Sequence, residues 1–266
     1  DPQIGYYASD NLLGAVVGDD SLADLVVGRI PVRSAAETDA VLRKIREYEA
    51  TPASGTWVRN ALTVSDRGKQ DCPTCPINVG ESLDFEATNA AALAFMKAPP
   101  HTARQLRYYS DYCDPVTYDC DANAMNADVK DGINGTLDAS ADGAAMMQYE
   151  GHSNFNVWSD DAFFAEGWSG RYDVEDLENG LRLPWLLAHN CLTGGFHTTM
   201  ANSLGEDFLK RAGGGAVAVF SPSGLSNSFL GRAVSDLVWN DVFGPKKERE
   251  IAVPVLGALS MLCLQG

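Results

Sequence analysis

Two turns carry the residues best suited to do chemistry in this chain. Leu183 to Phe196 reads LPWLLAHNCLTGGF. A short apolar run, Leu183 to Ala188, delivers Asn190 and Cys191 into Leu192-Thr193-Gly194-Gly195. A run that short, ended by a polar break, predicts a buried strand rather than a helix. A cysteine at the C-terminal tip of such a strand stands where open α/β sheets place their chemistry. The alternative is a small core side chain, since free cysteine is among the most buried residue types. Ala144 to Trp158, AAMMQYEGHSNFNVW, has the same design: an apolar run to Tyr149, then Glu150-Gly151-His152-Ser153. His152 and Cys191 are 39 residues apart (191 − 152), enough for a crossover between two parallel strands. Adjacent strands would then present an imidazole and a thiol at one sheet edge, as a cysteine nucleophile and its base require.

Tyr149-x-Gly151-His152 followed by Asn190-Cys191-x-x-Gly194-x-Phe196 resembles the gingipain-type cysteine peptidases. Asp10 to Arg33, with its Gly28-Arg29-Ile30-Pro31 element, is similar to a segment that leads into a helix in that family. Asn202 to Gly224 is similar to the helix and strand after its nucleophile. The resemblance implies a caspase-like three-layer α/β sandwich, with a mostly parallel sheet covered by helices on both faces. It implies an endopeptidase in which Cys191 attacks a peptide carbonyl and forms an acyl-enzyme. His152 would be the general acid and base, and the N–H groups of Cys191 and Ser153 would hold the oxyanion. The family usually has Gly where Ser153 stands. An acidic residue orients the histidine in the family, and Asp66 is the nearest candidate; a simple strand-end aspartate is the alternative. By resemblance to Arg-specific members, Asp84 in Gly80-Glu81-Ser82-Leu83-Asp84-Phe85-Glu86 would lie at the base of a pocket for Arg or Lys. Its other reading is an acid that favours a helix N-terminus. Trp158, with Trp168 and Tyr172, would wall the substrate site or else belong to the core. No cofactor is required, and a structural calcium ion in acidic loops is compatible with the family. Members usually have sheet strands before the position of Asp10 and after that of Gly266. Residues 1–266 therefore read as one peptidase domain, incomplete at both ends, with other segments of a larger processed protein and a peptide or protein substrate as partners.

Composition bounds the alternatives. A net charge of −16 and a pI near 4.5 argue against nucleic acid and anionic membrane, which need a basic face. No run reaches the roughly 18 apolar residues of a membrane span. Cys72 with Cys75, and Cys113 with Cys120, are local pairs in Pro- and Asp-rich loops. Zinc is one reading of the pairs; local disulfides in a secreted or cell-surface protein are the other. Asp119-x-Asp121-x-Asn123 lacks the glycine and the final glutamate of an EF-hand loop. His189 would share a face with Cys191, either tuning the thiol or hydrogen-bonded in the core. Two rival functions stand beside the cysteine peptidase. Gly151-His152-Ser153 begins like a serine hydrolase elbow, although Phe155 stands where its last glycine belongs. A peptidase-like domain without activity, kept as an extracellular structural or binding module, is the other.

The elements that must position the dyad alternate along the chain. Strands are expected at 25–31, 58–65, 105–110, the two motif runs and 216–221. Helices are expected at 34–48, 84–96, 127–137, 203–212, 228–242 and 255–264. Ser34 and Glu37 form a capping-box pattern. Residues 111–126 and 163–176 read as loops, the second aromatic. Such alternation predicts a mostly parallel sheet.

Overall fold

The structure, a computed structural model, describes residues 8–20, 22–51, 53–69, 77–97, 99–135, 143–199, 201–248 and 250–265, the last four by backbone alone. In chain order the helices are α1 (Asn11–Gly14), α2 (Ala35–Ala50), α3 (Val79–Met96), α4 (Tyr108–Tyr112), α5 (Ala122–Asn134), α6 (Leu204–Lys210), α7 (Ser228–Phe243) and α8 (Ala252–Gln265). The strands are β1 (Asn60–Ser65), β2 (Thr102–Arg107), β3 (Met146–Glu150), β4 (Ser153–Asn154), β5 (Val157–Trp158), β6 (Phe164–Trp168), β7 (Arg171–Tyr172), β8 (Trp185–His189) and β9 (Ala218–Phe220).

A five-stranded sheet in the order β2-β1-β3-β8-β9 is parallel at every pairing. Its central strands are buried on both faces, so they show no polar-apolar alternation, and β1 and β3 bury polar residues such as Thr63 and Gln148. One face packs Leu62, Met147, Tyr149 and Leu186 against Met125 and Val129 of α5 and Phe208 of α6. The other packs Ala61, Trp185 and Leu187 against Leu93 and Met96 of α3 and Val238 and Trp239 of α7. The result is the three-layer α/β sandwich.

A buried polar network fixes α3 and α7 on that second face. Gln148 of β3 donates to Asn89 Oδ1 at 2.9 Å, and its Oε1 accepts from Ser235 Oγ and Trp239 Nε1 at 2.9 and 2.6 Å. Asn89 in turn donates to the Val64 carbonyl at 2.9 Å. Breaking one partner of such a network strands the others in low dielectric, so the helices are held in one register over β1 and β3. Both helices begin at the C-terminal edge of the sheet, where the chemistry must be.

Local signals explain most helix starts. Ser34 accepts from the Glu37 N–H at 3.2 Å, but the Glu37 carboxylate turns to the Arg33 N–H instead of closing the box. The complete capping box is at α6, between Ser203 and Glu206. The structure corrects several expectations: strand β2 ends at Arg107 and α4 follows it, so 108–110 are helical, and α5 begins at Ala122, inside the stretch expected as a loop. Residues 25–31 form no strand, and Leu25, Val26, Val27 and Ile30 are exposed. No described strand offers that segment a partner, and apolar character alone does not make a strand. The aromatic stretch 163–176 is not a loop; it carries β6 and β7, part of a four-stranded antiparallel sheet in the order β4-β5-β6-β7. Helix α3 starts at Val79, five residues before the expected position, so Asp84 lies in its second turn.

Candidate active site

Strands β3 and β8 are neighbours, with Met146 level with Trp185 and Glu150 level with His189. Carrying that register two residues past each strand puts His152 level with Cys191. The ladder does extend that way, since the Gly151 N–H reaches the His189 carbonyl at 3.4 Å. Side chains two apart on a strand share a face. His152 and Cys191 therefore continue the face of Gln148 and Leu187, toward α3 and α7. The sequence places both residues here because each motif is a strand plus its own Gly turn.

Cys191 is a free thiol, partly buried. Its sulfur lies 3.4 Å from the Ser226 N–H and 3.6 Å from the Ser226 carbonyl, just before the Asn227 cap of α7. The Cys191 turn is held from beneath. Thr193 Oγ1 accepts from Asn190 Nδ2 at 2.9 Å and from Trp158 Nε1 at 3.2 Å. A Cβ on Gly194 would press on the backbone carbonyls of Ser221 and Pro222, so the turn packs against the loop after β9 only with glycine there. Arg29 of the Gly-Arg-Ile-Pro element stacks over the Phe196 ring at 4.0 Å from its centroid, and both carboxylate oxygens of Asp10 hold the guanidinium. This cation–π contact joins two of the segments singled out in the sequence.

His152 is fixed by its backbone and its ring separately. Its N–H donates to Asp66 Oδ2 at 3.0 Å, and its carbonyl accepts from the Tyr149 hydroxyl at 2.6 Å. Its ring meets Phe85 edge-on at 5.4 Å. Nε2 lies 3.1 Å from Glu81 Oε1 in the first turn of α3. That is ion-pair distance, but the oxygen lies off the direction of a Nε2 hydrogen bond, which leaves this nitrogen without a hydrogen-bond partner. The carboxylate beside the imidazole is thus Glu81. Sequence reasoning missed it, because nothing in the spacing links a helix N-terminus to a strand end so far along the chain.

Asp66 ends β1 and is fully buried. Burial pushes its carboxyl up to about 7, against the opposing pull of the Ser159 hydroxyl, the nearby His152 and the N–H groups of Arg67 and His152. It meets the histidine through the backbone, not the ring. One level below the dyad lie Glu150 and His189, both buried under Gly231 of α7. Burial pushes the Glu150 carboxyl well up and the His189 imidazole down to about 4. Burial thus disfavours the charged form of each. His189 Nε2 and both Glu150 oxygens lack hydrogen-bond partners among the described residues, so His189 is a core histidine without the hydrogen bond expected of one.

The other expected site residues scatter. Ser153 opens β4, and its hydroxyl donates to the Cys191 carbonyl. A hairpin strand, not a helix, follows it, so it is no serine hydrolase elbow. Trp158 is fully buried and stacked on Tyr149 at 4.3 Å; it supports the Cys191 turn from the core and offers a substrate no surface. Asp84 is exposed on α3. Cys113 and Cys120 form a disulfide, which removes that pair as zinc ligands; Cys72 and Cys75 lie outside the described residues. Asp121 caps α5 through the Ala124 N–H at 2.9 Å. Among the described residues no group of three or more His, Cys, Asp or Glu side chains is arranged to hold a metal ion, and no helix is long and apolar enough to cross a membrane.

A model of peptidase family C25 matches residues 2–262. The fold is similar to the crystal structure of the Arg-specific cysteine proteinase gingipain R, at 16% identity and a TM-score of 0.70, over 97% of this chain and 54% of that one. It is also similar to the complex of the Porphyromonas gingivalis RgpB pro- and mature domains, at 15% identity and a TM-score of 0.68, over 96% of this chain and 55% of that one. The chain thus spans about half the length of these solved structures. No curated protein matches it.

Proposed function

The chain belongs to peptidase family C25, and on that premise we propose that it is an endopeptidase working through Cys191 and His152. The observation that carries this is the shared level of the two residues at the C-terminal edge of β3 and β8. In this reading the Cys191 thiolate attacks a peptide carbonyl, and the C–S bond forms as the carbonyl oxygen takes up negative charge. The N–H groups of Cys191 and Ser153 hold that oxygen. Among the described residues no acceptor takes the Cys191 N–H, which supports the role. His152 protonates the leaving amine as the C–N bond breaks. Water then attacks the thioester, His152 takes its proton, and the C–S bond breaks to release the acid and restore the thiol. Glu81 is positioned to orient the imidazole and to stabilise it when it is charged.

Specificity follows the acidic face beside this dyad. Asp84 lies three residues after Glu81, so the two are neighbours on the surface of α3. Its carboxylate would form a charge-assisted pair with Arg or Lys before the scissile bond. The Cys113–Cys120 disulfide supports residence outside the reducing cytosol, and the covered share of the solved relatives supports further segments as partners. The test is direct. Iodoacetamide should modify Cys191, and cleavage of a peptide library should vanish in Cys191→Ala. A library cleaved equally by that variant ends the peptidase reading. A basic preference that survives Asp84→Ala ends the assignment of Asp84 alone.

A further inference from the structure

We propose that Ser153 is a positioning residue whose hydroxyl holds the strained turn that aims Cys191. The proposal rests on the peptidase reading above.

Leu192, next after the nucleophile, has φ +62°. That is the left-handed region, disfavoured for any residue with a Cβ. The Cys191 carbonyl accepts from the Thr193 N–H at 2.7 Å. The two facts together describe a three-residue turn closed around Leu192, with the sign of φ that marks the rare and strained γ form. Such a conformation persists only where its surroundings over-determine it.

Those surroundings can be named. The Leu192 N–H donates to the Gly224 carbonyl at 3.0 Å, and the Leu192 carbonyl accepts from the Gly195 N–H at 2.9 Å. Both are backbone bonds, and both approach from the cysteine side of the site. Beside these and the Thr193 and Gly194 contacts described above, the restraint on the Cys191 carbonyl from across the site is the Ser153 hydroxyl, which donates to it from the turn after β3. Among the described residues it is the hydrogen bond that joins the histidine turn directly to the cysteine turn. The Cys191–Leu192 peptide is thereby tied at both ends, its carbonyl to Ser153 and its N–H to Gly224. Tilting that peptide would swing the Cys191 Cα–Cβ bond and carry the sulfur away from the imidazole. It would also change the spacing of the Cys191 and Ser153 N–H groups that hold the oxyanion. A glycine at this place would have no hydroxyl to offer, so the Ser153 side chain adds a restraint without removing the N–H.

The experiment compares wild type with Ser153→Ala, Ser153→Gly and Ser153→Thr. Steady-state hydrolysis of a fluorogenic peptide chosen from the library gives kcat and KM, and a crystal structure of Ser153→Ala gives the Leu192 conformation. Loss of this part-buried hydrogen bond should lower kcat about ten-fold in the Ala and Gly variants, with KM little changed. Ser153→Thr, which keeps the hydroxyl, should recover most of that loss. Leu192 should leave the left-handed region in Ser153→Ala. The proposal is overturned if Ser153→Ala turns over like wild type, or if Ser153→Thr is as slow as Ser153→Ala. The structural arm does not depend on activity. If wild type cleaves no peptide, the peptidase reading fails and Leu192 decides for Ser153: an unmoved turn in Ser153→Ala overturns the proposal, a relaxed one supports it. Should Ser153→Ala fail to fold, Ser153→Gly carries both arms.

Discussion

Asp66→Asn should change how stability depends on pH more than it changes catalysis. Burial raises this carboxyl from the ordinary 3.8 to about 7. The folded chain then binds the proton more tightly than the unfolded chain does. Stability is therefore lost as pH rises through the window between those two values, and is level above it. A tenfold change in proton affinity corresponds to about 1.4 kcal/mol. Taken over the window, the ionised carboxylate costs about 4 kcal/mol relative to the protonated one. Asparagine is neutral throughout. It keeps an oxygen for the His152 N–H but loses the acceptor that the Arg67 N–H uses at 2.7 Å, at about 1 kcal/mol. The variant should thus be less stable than wild type by about 1 kcal/mol near pH 4, and more stable by about 3 kcal/mol near pH 8. Glu150, Glu166 and Asp207 are also raised by burial. They are common to both chains and cancel in the difference. Urea unfolding of the two proteins across this range measures it. Two stability curves that run parallel in pH would show that Asp66 does not carry a proton in the folded state, and would refute the reasoning.

Three further outcomes are expected. Glu81→Gln should lower kcat about ten-fold or more with KM nearly unchanged, because a charge-assisted contact to the imidazole is removed; a change confined to KM would place Glu81 in substrate binding instead. Gly231→Ala should slow Cys191 alkylation and destabilise the fold by about 1–3 kcal/mol, since its Cβ would lie 2.9 Å from His189 Cβ and 3.1 Å from Glu150 Oε1 and push the start of α7 off Cys191. Wild-type stability in that variant would mean that α7 is not tightly seated. Replacing Cys113 and Cys120 by Ser should cost about 2 kcal/mol through the short loop the bridge closes, read as a lower thermal midpoint with catalysis retained.

What could be read in the sequence was local. Cys191 and His152 each sit in a strand plus a Gly turn, and the period of a strand sets which face they share. The pairing of β3 with β8 followed from the crossover length between them. Glu81 could not be found that way, because its contact depends on where α3 is seated by Asn89 and Gln148. The start of α3 was also hidden. Gly80 is a poor helix former, and Asn78 makes no side-chain cap, so the visible pattern began only near Asp84. Strands β4, β5 and β7 are two residues each, too short to show alternation, and were invisible for that reason. Trp158 was ambiguous because an aromatic beside a catalytic turn reads the same whether it faces solvent or core; here it is fully buried and its indole N–H bonds Thr193.

The site divides between two acids a task the sequence suggested for one. Asp66 holds the backbone of His152 from the end of β1, at 3.0 Å from its N–H, where a neutral acceptor would serve equally. Glu81 stands beside the ring, at 3.1 Å, where charge would matter in the proposed mechanism because the imidazole would gain and lose a proton. The environments match the tasks. Asp66 is fully buried, so its charge is costly and its contribution is geometric. Glu81 is 28% exposed and faces the ring itself, so its contribution is made to the imidazole rather than to the backbone. The two effects are separable for that reason: neutralising Asp66 should alter stability with pH, and neutralising Glu81 should alter turnover.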